Sequence, residues 1–159
     1  MSVLKPLYGS NNVSIAVALN SLASAVYASS AVIDNTSNLY TDIKVQFIWK
    51  NGASVAGTPI VSVYLAESSN NGTNYSDGVT ASATPVPTSP PNMKLLYTLS
   101  CPTASTSYTS DPFYIAAGVG LPMLPDKSIL VFLNGTGGTS DATAGNFSVF
   151  YEGLNLQAV

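Results

Sequence analysis

Residues able to do chemistry are few in this 159-residue chain, and the most versatile type is missing. There is no histidine, so neither a Ser-His-Asp triad nor a Cys-His pair can form. Ser2 and Lys5 match a bare S-x-x-K pattern, which in this sequence has no companion motif. Eight carboxylates (Asp34, Asp42, Glu67, Asp77, Asp111, Asp126, Asp141 and Glu152) are the formal raw material for a glycosidase pair. Most of them stand in turn-like contexts, where Asp serves the backbone. Asn70, Asn74 and Asp77 offer oxygens for a calcium ion, but only one is charged and the spacing is not that of an EF-hand. Cys101 is the single cysteine, which excludes an intrachain disulfide and reads as a small buried hydrophobe. Nucleotide-binding glycine motifs are absent: Gly135-Thr136-Gly137-Gly138 leads into no helix. No catalytic, cofactor-binding or metal-binding residue is therefore expected.

Two further groups of side chains bear on binding. Nine tyrosines and Trp49 could line a sugar-binding face, although such residues more often anchor cores and interfaces. Six N-x-S/T sequons begin at Asn12, Asn35, Asn71, Asn74, Asn134 and Asn146, as chance produces in a chain this rich in Asn, Ser and Thr.

Composition narrows the partner. Only 8% of residues are charged, with five basic residues, all lysine, and a net charge of −3. Scattered lysines cannot build a phosphate-binding surface, so no nucleic acid is expected. Residues 13–19 are too short and too interrupted by Asn and Ser to cross a membrane or to form a convincing signal sequence. Hydrophobic residues make up 46% of the chain, enough for a packed core.

The elements that must position these groups are strands. Residues 40–67 organise the rest: Ile43, Val45, Phe47 and Trp49 alternate with Asp42, Lys44, Gln46 and Ile48, and Val61, Val63 and Leu65 repeat the pattern. Asn51-Gly52, Gly57 and Pro59 supply the turn between them. Further strands are expected within 13–19, 26–33, 93–99, 112–117 and 146–156. Residues 128–134 form a nearly continuous apolar run, expected to be buried on both faces. Residues 68–92 read as one long excursion, closed to a central strand by Pro85, Pro87, Pro90 and Pro91. About eight strands and no convincing amphipathic helix predict an all-β, two-sheet antiparallel sandwich, jelly-roll-like. Residues 1–12 read as an N-terminal arm and 13–159 as a single domain. With so few charges to guard its sheet edges, such a domain is expected to pack against copies or partners.

Several stretches, in order, resemble small structural proteins of tailed-bacteriophage virions. They are Ser21-Leu22-Ala23-Ser24, Ala31-Val32-Ile33-Asp34-Asn35-Thr36 and residues 40–45. Tyr64 follows, with Asn71-Gly72-Thr73-Asn74-Tyr75-Ser76-Asp77-Gly78 and Asn92-Met93-Lys94-Leu95-Leu96. Residues 103–112 and the closing Gly145-Asn146-Phe147-Ser148-Val149-Phe150-Tyr151-Glu152-Gly153 complete the likeness, which leaves the arm outside.

The resemblance implies a non-enzymatic β-sandwich that cements or decorates the capsid. Its expected partners are the major capsid protein and copies of itself. Its place would be the capsid exterior, after synthesis in the host bacterial cytoplasm, and the arm and the 68–92 loop are the segments expected to reach neighbours. A tail, collar or baseplate component would use the same fold. A carbohydrate-binding module using exposed Tyr or Trp is the reading from a different class.

Overall fold

The computed structural model describes residues 4–84 and 92–158, and within them eleven strands form two antiparallel sheets packed face to face. The strands are β1 (Leu4–Tyr8), β2 (Val13–Ser14), β3 (Tyr27–Ser29), β4 (Ile33–Asp34), β5 (Asp42–Lys50) and β6 (Ile60–Ser68). They continue as β7 (Lys94–Ser100), β8 (Ser107–Thr109), β9 (Phe113–Tyr114), β10 (Lys127–Gly135) and β11 (Ser148–Ala158). Short strands share positions: β1 and β2 both pair β11, β3 and β4 both pair β10, and β8 and β9 both pair β5. The eleven strands thus occupy eight positions.

The order of those positions defines the topology. One sheet runs β1/β2, β11, β5, β8/β9; the other runs β3/β4, β10, β6, β7. The first position pairs with the last, the second with the seventh, the third with the sixth, and the central two with each other. This is the chain of a jelly roll, one long hairpin wound across two sheets.

Alternation along β5 survives without error. Ile43, Val45, Phe47 and Trp49 are all fully buried between the sheets, facing Val61, Val63 and Leu65 of β6 across the sandwich. Ring contacts tie the centre together: Phe47 meets Phe132 edge-on at 5.4 Å, and Tyr97 stacks on Phe113 at 4.8 Å. Each such pair adds about 0.5–1.5 kcal/mol beyond its buried area. β10 is buried on both faces, as its apolar run requires: Leu130 and Phe132 enter the central core, while Ile129 and Val131 face outward.

What covers Ile129 and Val131 was not expected. Tyr75 and Val79, from the long 68–92 excursion, fold back with the adjoining Met93 over the outer face of this sheet and bury Ala66, Ile129 and Val131. The Ser29 amide donates to the Ala83 carbonyl at 2.9 Å and the Ser82 amide to the Ser30 carbonyl at 2.8 Å, so the loop also sheathes the β3 edge. Its described part is thus spent on its own sheet; Pro85, Pro87, Pro90 and Pro91 lie outside the described residues.

Four other expectations change. Residues 112–117 are not one strand: β9 ends at Tyr114 and a single helical turn, α1 (Ile115–Gly118), follows. The cause is Asp42, whose carboxylate accepts the Ala116 and Ala117 amides at 2.8 and 3.0 Å. Residues 13–19 ladder only at β2, and the 26–33 strand is split into β3 and β4. The arm does not stand apart either. β1 pairs residue for residue with β11, from Leu4 opposite Ala158 to Tyr8 opposite Leu154.

Sheet edges are guarded by little charge and by other means. β1 carries Lys5 and Pro6, β7 pairs β6 through a register shift at Val63/Tyr64, and the remaining edge strands are two or three residues long.

Candidate interaction surface

Most groups singled out for chemistry turn out to hold the fold. Four of the five lysines each pair with one carboxylate: Lys44 with Glu152, Lys50 with Asp141, Lys94 with Glu67, and Lys127 with Asp34. Four of the eight carboxylates are thereby held by separate cations. Glu67 and Asp126 do line one wide depression of about 610 Å³, but Lys94 holds Glu67 there. Asp77 accepts the backbone and side-chain amides of Asn92 at 2.9 and 2.6 Å. Asn70 Oδ1 accepts the Asn74 amide at 2.9 Å, closing its own turn rather than facing a cation site. No cluster of three or more metal-ligating side chains occurs among the described residues. Ser2 lies outside them.

Exposed carboxyls are tuned by local hydrogen bonds. Asp34 is lowered to about 2, chiefly by the Thr36 hydroxyl and then by Lys127. Asp141 is likewise lowered to about 2, chiefly by the Thr143 amide and then by the Asn146 side chain. Burial pushes the Cys101 thiol up to about 12, which suits an inert core residue. Sequon residues Asn35 and Asn134 are buried, and Trp49 is wholly enclosed.

Polar side chains inside the sandwich tie its loops at the Trp49 end. Asn51 accepts the Trp49 indole N–H at 2.8 Å and donates to the carbonyls of Cys101 and Thr103. Asn134 donates to the Leu22 and Gly138 carbonyls at 2.7 and 2.9 Å. No helix among the described residues is long and apolar enough to cross a membrane.

The opposite end is built differently. β5 begins at Asp42, opposite Leu154, so residues 155–158 have only β1 beside them. β1 and the end of β11 therefore run on past the sheet as a two-stranded ribbon. Cross-strand partners share a face, which puts Pro6, Tyr8 and Leu156 on one side and Leu7 on the other. Leu7 is 48% exposed, Tyr8 57% and Leu156 53%. An isolated two-stranded ribbon is marginal in water, and this one shows apolar side chains on both faces.

The base of the ribbon is fixed by Tyr40. Its ring occupies the space that side chains on Gly9 and Gly153 would need, and the Gly9 amide donates to the Gly153 carbonyl at 2.8 Å. Asn35 holds Tyr40 from behind, bonding its carbonyl and its amide at 2.9 and 2.8 Å. Next to it, Leu39 is 66% exposed at φ +51°, a conformation bulky side chains avoid. Met123, 62% exposed, belongs to the same end, since the Leu124 amide donates to the Thr41 carbonyl at 2.7 Å. Sequence reasoning marked the arm but missed Leu39 and Met123, which no periodicity distinguishes from core leucines.

No protein-family model matches the chain, and no curated protein matches it.

Proposed function

We propose that this chain is a non-enzymatic structural protein of a tailed-bacteriophage virion, one that reinforces the capsid by binding the major capsid protein lattice. The observation that carries the reading is the ribbon end: of the eight large apolar residues exposed among those described, five (Leu7, Tyr8, Leu39, Met123 and Leu156) gather at that end, the others being Val32, Leu95 and Tyr114. Apolar groups gathered at one end of a domain mark a contact surface. Lys5 and Pro6 discourage strand addition along β1, so the ribbon is suited to insert its faces between neighbours rather than to extend their sheets.

The fold and the sequence resemblance support the same reading. Jelly rolls recur in viral capsid proteins and in lectins, and the stretches named above resemble virion cement and decoration proteins. Each copy would offer only a small contact, so holding would come from valency. Several modest contacts on adjoining capsid subunits, or a small homo-oligomer spanning them, bind far beyond any one contact.

Cryo-electron microscopy of purified particles tests the assignment. Density for this chain between or over capsomers is the expected result. Density confined to the tail, collar or baseplate would replace the capsid reading with the tail one, and absence from the particle would overturn both.

A further inference from the structure

Beside the root of the ribbon, the outer face of the β1/β2–β11–β5–β8/β9 sheet carries an open groove of about 330 Å³. Its walls are Asn11 and Asn12 on one side, leading into β2, and Pro112 on the other, leading into β9. Phe150, Gln46, Lys44 and Glu152 form the floor. The register explains why they share it: Phe150 stands opposite Gln46, and Glu152 opposite Lys44, on adjoining strands. The next residue in that row is Tyr114, paired with Lys44. Tyr8 closes the approach from the other edge, with Lys44 Nζ 5.7 Å from the centre of its ring.

The chemistry of these groups selects a ligand class. The only cation on the floor is already neutralised, because Lys44 is ion-paired with Glu152. A phosphate or sulfate would therefore find no free charge, in a chain whose net charge is −3. The amides of Asn11, Asn12 and Gln46 can both donate and accept, as vicinal hydroxyls require. Gln46 is held in place by its own bond to the Ser110 carbonyl at 2.9 Å. Phe150, Pro112 and two partly exposed tyrosines offer apolar and aromatic surface for the C–H face of a ring. A volume of this size is at the small end of ligand sites, enough for one or two sugar units.

The geometry points to a binding site for a neutral saccharide in this groove. It does not rest on the capsid reading: apart from Tyr8, which the ribbon also presents, its residues lie on the sheet face.

The test is an amide chemical-shift titration of the isolated, labelled protein with maltose, cellobiose, N-acetylglucosamine oligomers and mannotriose. At least one should shift the amides of Asn12, Gln46 and Phe150 in a saturable way. Two variants then probe the site: Asn12→Gly, which keeps a backbone already at φ +60°, and Tyr114→Ala on the surface. Each should weaken that binding several-fold while leaving the spectrum of the core unchanged. No saturable shift with any of the four sugars would overturn the proposal. So would binding that both variants leave intact.

Discussion

The ring of Tyr40 packs directly against Gly153, leaving no room for a Cβ between them, at the point where β11 leaves the sandwich and continues with β1 alone. A residue from the turn before β5 thus clamps the root of the ribbon. Gly153→Ala must displace either the ring or the strand, and overpacking of this kind costs about 1–3 kcal/mol. Urea unfolding should show that loss. Gly145→Ala, where an added Cβ meets nothing within 4 Å, serves as the control and should stay within about 0.5 kcal/mol of wild type.

At the opposite end, Asn51→Ala removes the acceptor of the buried Trp49 indole and the donor to two carbonyls. Leaving buried polar groups unpaired costs about 1–3 kcal/mol each. The expected loss is therefore at least about 1–3 kcal/mol, read from the unfolding midpoint at unchanged slope.

Stability should be flat through neutral pH and fall at both extremes. With no histidine, no side chain has an ordinary pKa between the carboxylates and the thiol. Asp34 and Asp141 are lowered in the folded state from 3.8 to about 2. Their contribution is present above the unfolded value and is lost as the pH falls from about 4 towards 2. Cys101 is raised from 9.0 to about 12, and burial also raises Tyr75 and Tyr151. Those groups hold their protons more tightly when folded, so stability declines as the pH climbs above about 9. Thermal unfolding across the pH range reads both limbs; a steep change between pH 5 and 8 would contradict this assignment.

How much of this was legible in the sequence depends on how local its cause is. The inward face of β5, set by Ile43, Val45, Phe47 and Trp49, follows from alternation alone, and the double burial of β10 from its unbroken apolar run. The helical turn α1 did not, because its cause is Asp42, over seventy residues away in the chain. The fold-back of Tyr75 and Val79 was hidden for a similar reason: they sit among polar loop residues, and only the exposed outer face of β10 makes a place for them. For the ribbon, Pro6 and Tyr8 suggested an arm, but its pairing with β11 joins the two ends of the chain and leaves no local pattern.

Leu39 offers a separation of stability from function. Its backbone, at φ +51°, suits Asn better than Leu. Leu39→Asn should hold stability or raise it by up to about 1 kcal/mol, while removing an exposed apolar group from the ribbon end. Weaker attachment to particles together with undiminished stability is the expected result. Unchanged attachment would remove Leu39 from the contact surface.

The most direct measurement is reconstitution on particles that lack this protein. Wild-type chain and a Leu7→Asp/Leu156→Asp variant would be added, and sedimentation with capsids and the temperature of genome release recorded. Both side chains are exposed, so the variant should unfold as wild type does. Wild type should co-sediment and raise the release temperature, and the variant should do neither. A variant that binds and protects as well as wild type would contradict the assignment of the ribbon as the capsid-binding element.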